Sequence, residues 1–329
     1  MAEGQTVGRL APSPTGRLHL GHARSFFVAW WAARSRGGRI VLRIEDLDDT
    51  RVKPGATELV LEDLEWLGLD WDGELLLQTS RADAHREALD SLLARGLAYP
   101  CVCTRREIED AASAPHADDH ETPYPGTCRG RFATPEEAQS ATGRTPAIRL
   151  LVDEASTEFD DVLHGHQRVD VAATAGDFVI GRKDGVAAYQ LATPLDDAHQ
   201  GVTQVVRGDD LLPSAARQKL VVDALGLPFP DQVHVPLVLG PDGLRLAKRA
   251  GSLSLQELRE AGVSPAALAT WAAASAGIPS ALAALTSIGL PRPDQAAPAS
   301  SWVRSFELNC VPIEGLVRTP QRLSSPRPS

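Results

Sequence analysis

The stretch from Arg9 to His22, RLAPSPTGRLHLGH, limits what this chain can fold into more than any other. Val7, Leu10 and Ala11 read as the end of a short buried strand, and Pro12, Pro14 and Gly16 then hold the backbone in a fixed turn. His19 to His22 open a helix that runs through Phe26, Phe27, Trp30 and Ala33 to about Arg36, with its apolar positions at helical spacing. Strand, rigid turn and helix N-terminus outline an anion site, because the first N–H groups of a helix have no partner of their own and point at whatever sits there. Imidazoles at positions 19 and 22, one turn apart, are placed to bond phosphate oxygens, and Gly21 leaves room for a flat ring against the backbone. A nucleotide fits such a site, although neither GxGxxG nor GxxxxGKS/T occurs here.

The remaining chain alternates strands and helices, which predicts an α/β fold with a parallel sheet. Residues 39–46, RIVLRIED, read as a buried strand whose acidic end, Glu45 and Asp46, emerges at the carboxyl edge, where open α/β sheets keep their ligands. Asp48 to Arg51 form a polar turn, and Pro54 and Gly55 precede a helix with Leu59, Leu64 and Leu67 on one face, closed by Gly68. A short strand over 75–78 and a helix over 82–94 follow. Residues 104–144 are charged and proline-containing, with too few long apolar stretches to extend the main core, and read as an inserted subdomain. Strands are expected at 147–152 and 157–163, and residues 176–192 read as a hairpin turning at Lys183-Asp184-Gly185. The strand VTQVVRG ends at Arg207, and Asp209, Asp210 and Ser214 precede a helix over 215–225. A buried strand over 233–239 leads into a turn that presents RLAKR, residues 245–249. Two short helices, 253–260 and 265–276, come before a proline-rich, disordered end.

Composition excludes some classes. With 43% hydrophobic and 23% charged residues the chain has the makeup of a globular enzyme, and no apolar run reaches membrane-spanning length. The N-terminus lacks a secretory pattern, so the expected location is the cytoplasm. A net charge of −10 argues against a uniformly basic surface and leaves a local positive face open. In that setting the cysteines are ligands or core residues rather than a disulfide framework. Cys101 and Cys103, with Cys128 further on, can converge on a tetrahedral metal, for which zinc is the usual choice. The fourth position is open to His116, His120 or Tyr124, while Cys310 lies in the tail and is unrelated.

His19-Leu20-Gly21-His22 resembles the HIGH signature of the class I aminoacyl-tRNA synthetases, and RLAPSPTG, RIEDLDDTR and AAYQLATPLDDAHQGVTQVVRG resemble blocks of the glutamate branch of that family. RLAKR resembles the KMSKS signature, with Arg245, Leu246, Ala247 and Arg249 as departures around Lys248. The resemblance covers residues 5 to 250 and implies a Rossmann-like class I catalytic domain. Its first half would occupy residues 1–100, an inserted zinc subdomain 101–185, the second half 186–250, and a short helical region with a tail 251–329. It implies activation of L-glutamate by ATP, with magnesium, through His19, His22 and Lys248 as catalytic residues. ATP would be met by His19, Gly21, His22 and Lys248, and glutamate by Arg9, Ser13, Glu45, Tyr189 and Arg207. Thr193 stands where some discriminating relatives carry asparagine.

The truncated, queuosine-modifying branch of the family is similar in its cysteine and tyrosine spacing, which implies one structural zinc held by Cys101, Cys103, Tyr124 and Cys128. The roughly 80 residues after position 250 are no substitute for the anticodon-binding region of ordinary glutamate synthetases. The resemblance therefore implies transfer of glutamate to the queuosine base in the anticodon loop of tRNA(Asp). Two alternatives stay open: a short discriminating enzyme charging the 3′ end of tRNA(Glu), and an inactive tRNA-binding paralogue. No membrane and no obligate protein partner is expected.

Overall fold

The structure is a computed structural model that describes residues 5–111, 122–153, 156–237 and 254–275. Its first half runs β1 (Val7–Leu10), α1 (Leu20–Arg34), β2 (Arg39–Ile44), α2 (Ala56–Leu67), β3 (Leu76–Leu77), α3 (Ala82–Ala94), β4 (Ala98–Cys101), α4 (Arg105–Ala111), α5 (Pro135–Thr142) and β5 (Ala147–Leu150). It continues through β6 (Ser156–Asp161), β7 (Gly165–Asp170), α6 (Val171–Thr174), β8 (Val179–Gly181), α7 (Tyr189–His199), β9 (Gln204–Gly208), α8 (Leu212–Leu225), β10 (Asp231–Val235), α9 (Leu255–Glu260) and α10 (Pro265–Ser275). These elements form two compact units.

Among the described residues, the first unit takes 5–76, 203–210, 233–237 and 254–275. β1 and β2 pair in parallel, Arg9 opposite Val41 and Leu10 opposite Leu42. The Thr203 N–H donates to the Val7 carbonyl at 2.9 Å, which sets β9 beside β1. α1 packs against β1, β2 and β9 and against α10. Phe27 and Trp31 of α1, Leu10, Ile40, Leu42, Leu64, Val206, Val235, Leu268 and Trp271 share one buried core. Each fully buried side chain of this size contributes about 1.5–3 kcal/mol relative to exposure. The expected α2 is present, but Val60, Leu64 and Leu67 form its buried face and Leu59 lies at the margin. Positions 60, 64 and 67 recur at i, i+4 and i+7, closer to the helical period than the leucines alone suggest.

Among the described residues, the second unit takes 77–111, 122–153, 156–202 and 211–232. β5 pairs antiparallel with β4 on one side and β8 on the other, and β6 and β7 form a hairpin. The hairpin expected over 176–192 forms around its expected turn at Lys183-Asp184-Gly185 but stops at Ala188. The Arg182 N–H donates to the Val186 carbonyl and the Ala188 N–H to Ile180, and at Tyr189 the chain turns into α7. Leu191, Ala192 and Asp196 are buried at helical spacing, a pattern that the β-branched residues and the turn just before them overshadow in the sequence. α8 also begins earlier than expected, at Leu212, and Ser214 sits inside it as an acceptor for the Gln190 Nε2–H rather than as a cap. Buried Asp196 accepts from Gln78 Nε2 at 2.9 Å and Arg81 Nε at 3.3 Å and pairs with His85 Nε2 at 2.9 Å, which fastens α7 to the start of α3.

The helices expected near the end of the chain form as α9 and α10, with Ser254 and Glu257 closing a capping box on α9. RLAKR with Lys248, His116, His120, Cys310 and everything after residue 275 lie outside the described residues. No helix among the described residues is long and apolar enough to cross a membrane.

Candidate active site and cysteine cluster

The loop that opens α1 is tied down from several sides. Asp63 of α2 accepts the Leu18 N–H through Oδ2 and Arg17 Nη1 through Oδ1, both at 2.9 Å, and Arg17 also reaches Glu62. The Glu45 N–H donates to the Pro12 carbonyl at 2.9 Å, and the Leu255 N–H donates to Leu18 at 2.8 Å. His19 is the N-cap of α1, and its Nδ1 accepts the Gly21 N–H at 3.1 Å. His22 Nδ1 in turn accepts the His19 N–H at 3.3 Å, and the two rings stack with centroids 3.6 Å apart. An Nδ1 that accepts carries no proton, so both neutral rings present an Nε2–H as donor.

This corrects the expectation of bare amides at the start of the helix, because part of the first turn is capped by histidine. The flat ring lying against Gly21 is that of His19: a Cβ at position 21 would stand 3.1 Å from its Cε1.

Two of the expected glutamate residues meet at one strand. Arg9 of β1 is buried and donates from Nη1 to the Val206 carbonyl of β9 at 3.1 Å. The next residue, Arg207, is also buried and donates from Nε to His234 Nε2 of β10 at 3.0 Å. Side chains alternate along a strand, so Arg9, its partner Val41 and Arg43 share a sheet face. Arg43 is fully buried and pairs with Glu45 at 3.1 Å. In α1, burial pushes the Arg24 guanidinium down to about 10 against the opposing charge of Asp209. Ser13 is exposed on the loop. Tyr189 opens α7 in the second unit, 37% exposed, with Thr193 buried one turn further on.

The four residues expected around a metal converge. Cys101 ends β4, Cys103 follows it, and the sulfurs of Cys101, Cys103 and Cys128 all lie within 4.8 Å of one another. Cys103 and Cys128 are 3.5 Å apart, and Tyr124 Oη stands 3.3 Å from Cys101 and 3.6 Å from Cys103. A tetrahedral ion with bonds of about 2.0–2.3 Å separates its ligands by roughly 3.3–3.8 Å, so the set has the dimensions of a metal site. Burial pushes the Cys103 thiol up to about 12, a cost that a bound dication removes.

Tyr124 is placed by its backbone. Its N–H donates to the Ala175 carbonyl at 2.9 Å, its Oη accepts the Cys128 N–H at 2.8 Å, and Arg149 stacks 3.7 Å over its ring. Behind it lies a polar node: Asp177 accepts from Tyr99 Oη, from Arg129 Nε at 3.0 Å and from the Val152 N–H at 2.8 Å.

Asp63, Arg149, Gly176, Asp177 and His234 escape a reading of the sequence. Each acts on a partner 25 or more residues away, and only Gly176 carries a local signal, as a glycine between two apolar segments.

The family described as tRNA synthetases class I (E and Q), catalytic domain, matches residues 5–285. The chain is 46% identical to the Glutamyl-Q tRNA(Asp) synthetase of Rhodopirellula baltica, over 83% of this chain and 85% of that protein. It is 49% identical to the Glutamyl-Q tRNA(Asp) synthetase of Symbiobacterium thermophilum, over 78% and 82%. Among solved structures it is similar to a glutamate tRNA ligase from Elizabethkingia meningosepticum in complex with its amino acid, with a TM-score of 0.64 and 29% identity. That match takes in 79% of this chain and 53% of the ligase, so the chain spans about half the ligase's length.

Proposed function

Because the chain belongs to the catalytic-domain family of the glutamate and glutamine class I tRNA synthetases, we propose that it activates L-glutamate with ATP and transfers it to the queuosine base in the anticodon loop of tRNA(Asp). The observation that carries this reading is similarity: 46% and 49% identity to two Glutamyl-Q tRNA(Asp) synthetases, against 42% to the Glutamate–tRNA ligase of Azorhizobium caulinodans.

Activation sets the α-carboxylate of glutamate in line with the α-phosphate of ATP and expels pyrophosphate, a task of placement and charge stabilisation. His19 and His22 present Nε2–H donors toward the phosphates, and Gly21 keeps the turn compact. Lys248 is assigned the leaving pyrophosphate; Leu255, a few residues beyond it, is bonded back to Leu18 beside the histidines, which supports the assignment. Arg9 and Arg207 are assigned the glutamate carboxylates and Glu45 the ammonium, and Ser13 and Tyr189 are also assigned to glutamate. Buried arginines at strand ends suit this role, since a glutamine side chain would leave a guanidinium without its charged partner. Magnesium enters with ATP.

In the insert assigned to 101–185, Cys101, Cys103, Tyr124 and Cys128 are proposed to hold one structural zinc. The metal supplies folding energy to a segment whose own apolar cluster is small.

The deciding experiment measures labelled glutamate on three acceptors: queuosine-containing tRNA(Asp), the same tRNA without the base, and queuosine-containing tRNA(Asp) whose terminal adenosine lacks both ribose hydroxyls. Labelling of the first and third alone supports the proposal. Labelling that depends on the terminal hydroxyls assigns the chain to 3′-end charging.

A further inference from the structure

We infer that His234 is a positioning residue for glutamate recognition, holding Arg207 through its Nε–H so that a carboxylate is met by the Nη end of the guanidinium. The inference rests on the assignment of Arg207 to a substrate carboxylate.

His234 is fully buried on β10, and Arg207, on neighbouring β9, is nearly so. Arginine stays protonated, and its Nε–H points at His234 Nε2 over 3.0 Å. That nitrogen must accept, so the imidazole is neutral and carries its proton on Nδ1, the reverse of the tautomer at His19 and His22.

A guanidinium meets a carboxylate either side-on, through Nε and one Nη, or end-on, through both Nη atoms. The bond to His234 occupies the side-on edge, so a carboxylate that pairs with this guanidinium does so through the Nη end. It also fixes the guanidinium plane, because a long side chain anchored at Nε and at Cα has little rotation left. A neutral acceptor does this without adding a negative charge that would compete with the substrate; aspartate or glutamate at position 234 would add one. The imidazole therefore orients the arginine and keeps its charge for the ligand.

Three measurements test the role. In glutamate-dependent ATP–pyrophosphate exchange, His234→Leu should raise the glutamate KM by about tenfold or more, as expected for loss of a hydrogen bond to a charged group, and leave the ATP KM within about twofold. His234→Gln, whose amide oxygen can accept from Nε, should restore the glutamate KM to within about threefold of the parent. Nitrogen-15 NMR of the parent protein should show His234 protonated on Nδ1. A folded His234→Leu protein with an unchanged glutamate KM overturns the inference, as does a parallel loss of glutamate and ATP affinity in both variants. A proton found on Nε2 overturns it whether or not the variants fold. A parent protein that does not bind glutamate removes the pocket assignment itself, an outcome that the NMR measurement separates from failure of the Arg207–His234 bond.

Discussion

His19 and His22 share one tautomer, each fixed by a backbone amide: His22 Nδ1 accepts the His19 N–H at 3.3 Å, His19 Nδ1 accepts the Gly21 N–H at 3.1 Å, and the rings stack at 3.6 Å. The cap and the donors proposed for phosphate thus belong to the same two side chains, one on Nδ1 and the other on Nε2. Substitutions that preserve one nitrogen and lose the other separate these roles.

In His19→Asn the amide oxygen falls near the place of Nδ1 and asparagine is a good N-cap, so the thermal midpoint should stay close to that of the parent. Adenylate formation should still slow by about 2–4 kcal/mol of transition-state stabilisation, because the distal donor is gone. His19→Ala should add about 1 kcal/mol of lost stability. Exchange kinetics and thermal melts on both variants check this; equal melting losses in the two would remove the cap role.

Lys248→Ala should lower the rate of adenylate formation by about 2–4 kcal/mol with little change in glutamate affinity, since its charge is proposed to serve the departing pyrophosphate. A variant with unchanged turnover and a raised glutamate requirement would assign the lysine elsewhere.

Elemental analysis of purified protein should find about one zinc per chain. Cys103→Ser should loosen the surrounding segment, and Tyr124→Phe should speed zinc loss to a chelator without abolishing binding, because three thiolates remain. A metal-free protein with the same protease resistance in this segment would sink the zinc assignment.

Gly176 adopts φ +65°, and a Cβ there would stand 2.4 Å from the Tyr124 carbonyl oxygen. Gly176→Ala should therefore destabilise by about 1–3 kcal/mol and shift Tyr124 away from the cysteines. The check is a lower unfolding midpoint together with faster release of zinc; a midpoint unchanged within error contradicts the contact.

Burial pushes the Asp177 carboxyl up, but Arg129, Tyr99 and the Val152 N–H outweigh it and hold the group below its ordinary value of 3.8. A carboxylate depressed in the folded state stabilises fully above its unfolded pKa, and that stabilisation disappears as pH falls through the lower folded value. Asp177→Asn should cost about 2–4 kcal/mol at neutral pH, less than breaking a fully buried pair because Arg129 keeps contact with water. The difference between variant and parent should shrink at pH values under the ordinary carboxylate range. Urea unfolding at pH 7 and pH 3 measures it, and a difference independent of pH would contradict the ion pair.

Much of the molecule is determined by the sequence alone. The extents of α1, β2, α2 and α3 follow from apolar periodicity and from helix-stopping glycines, and the strand–turn–helix around Arg9–His22 follows from Pro12, Pro14 and Gly16. These are short-range terms: φ limits, side-chain alternation and end groups act within a few residues, so their outcome can be read where they stand. The tertiary structure decided the rest. It turned 189–199 into α7 after one short ladder, gave the start of α1 to its own histidines, and set Tyr124 among the cysteines through a close approach to Gly176. It also joined Arg207 to His234, 27 residues away. Such pairings depend on which strand lies beside which and how far apart the backbones come to rest, quantities set by packing of the whole unit rather than by any local stretch of chain.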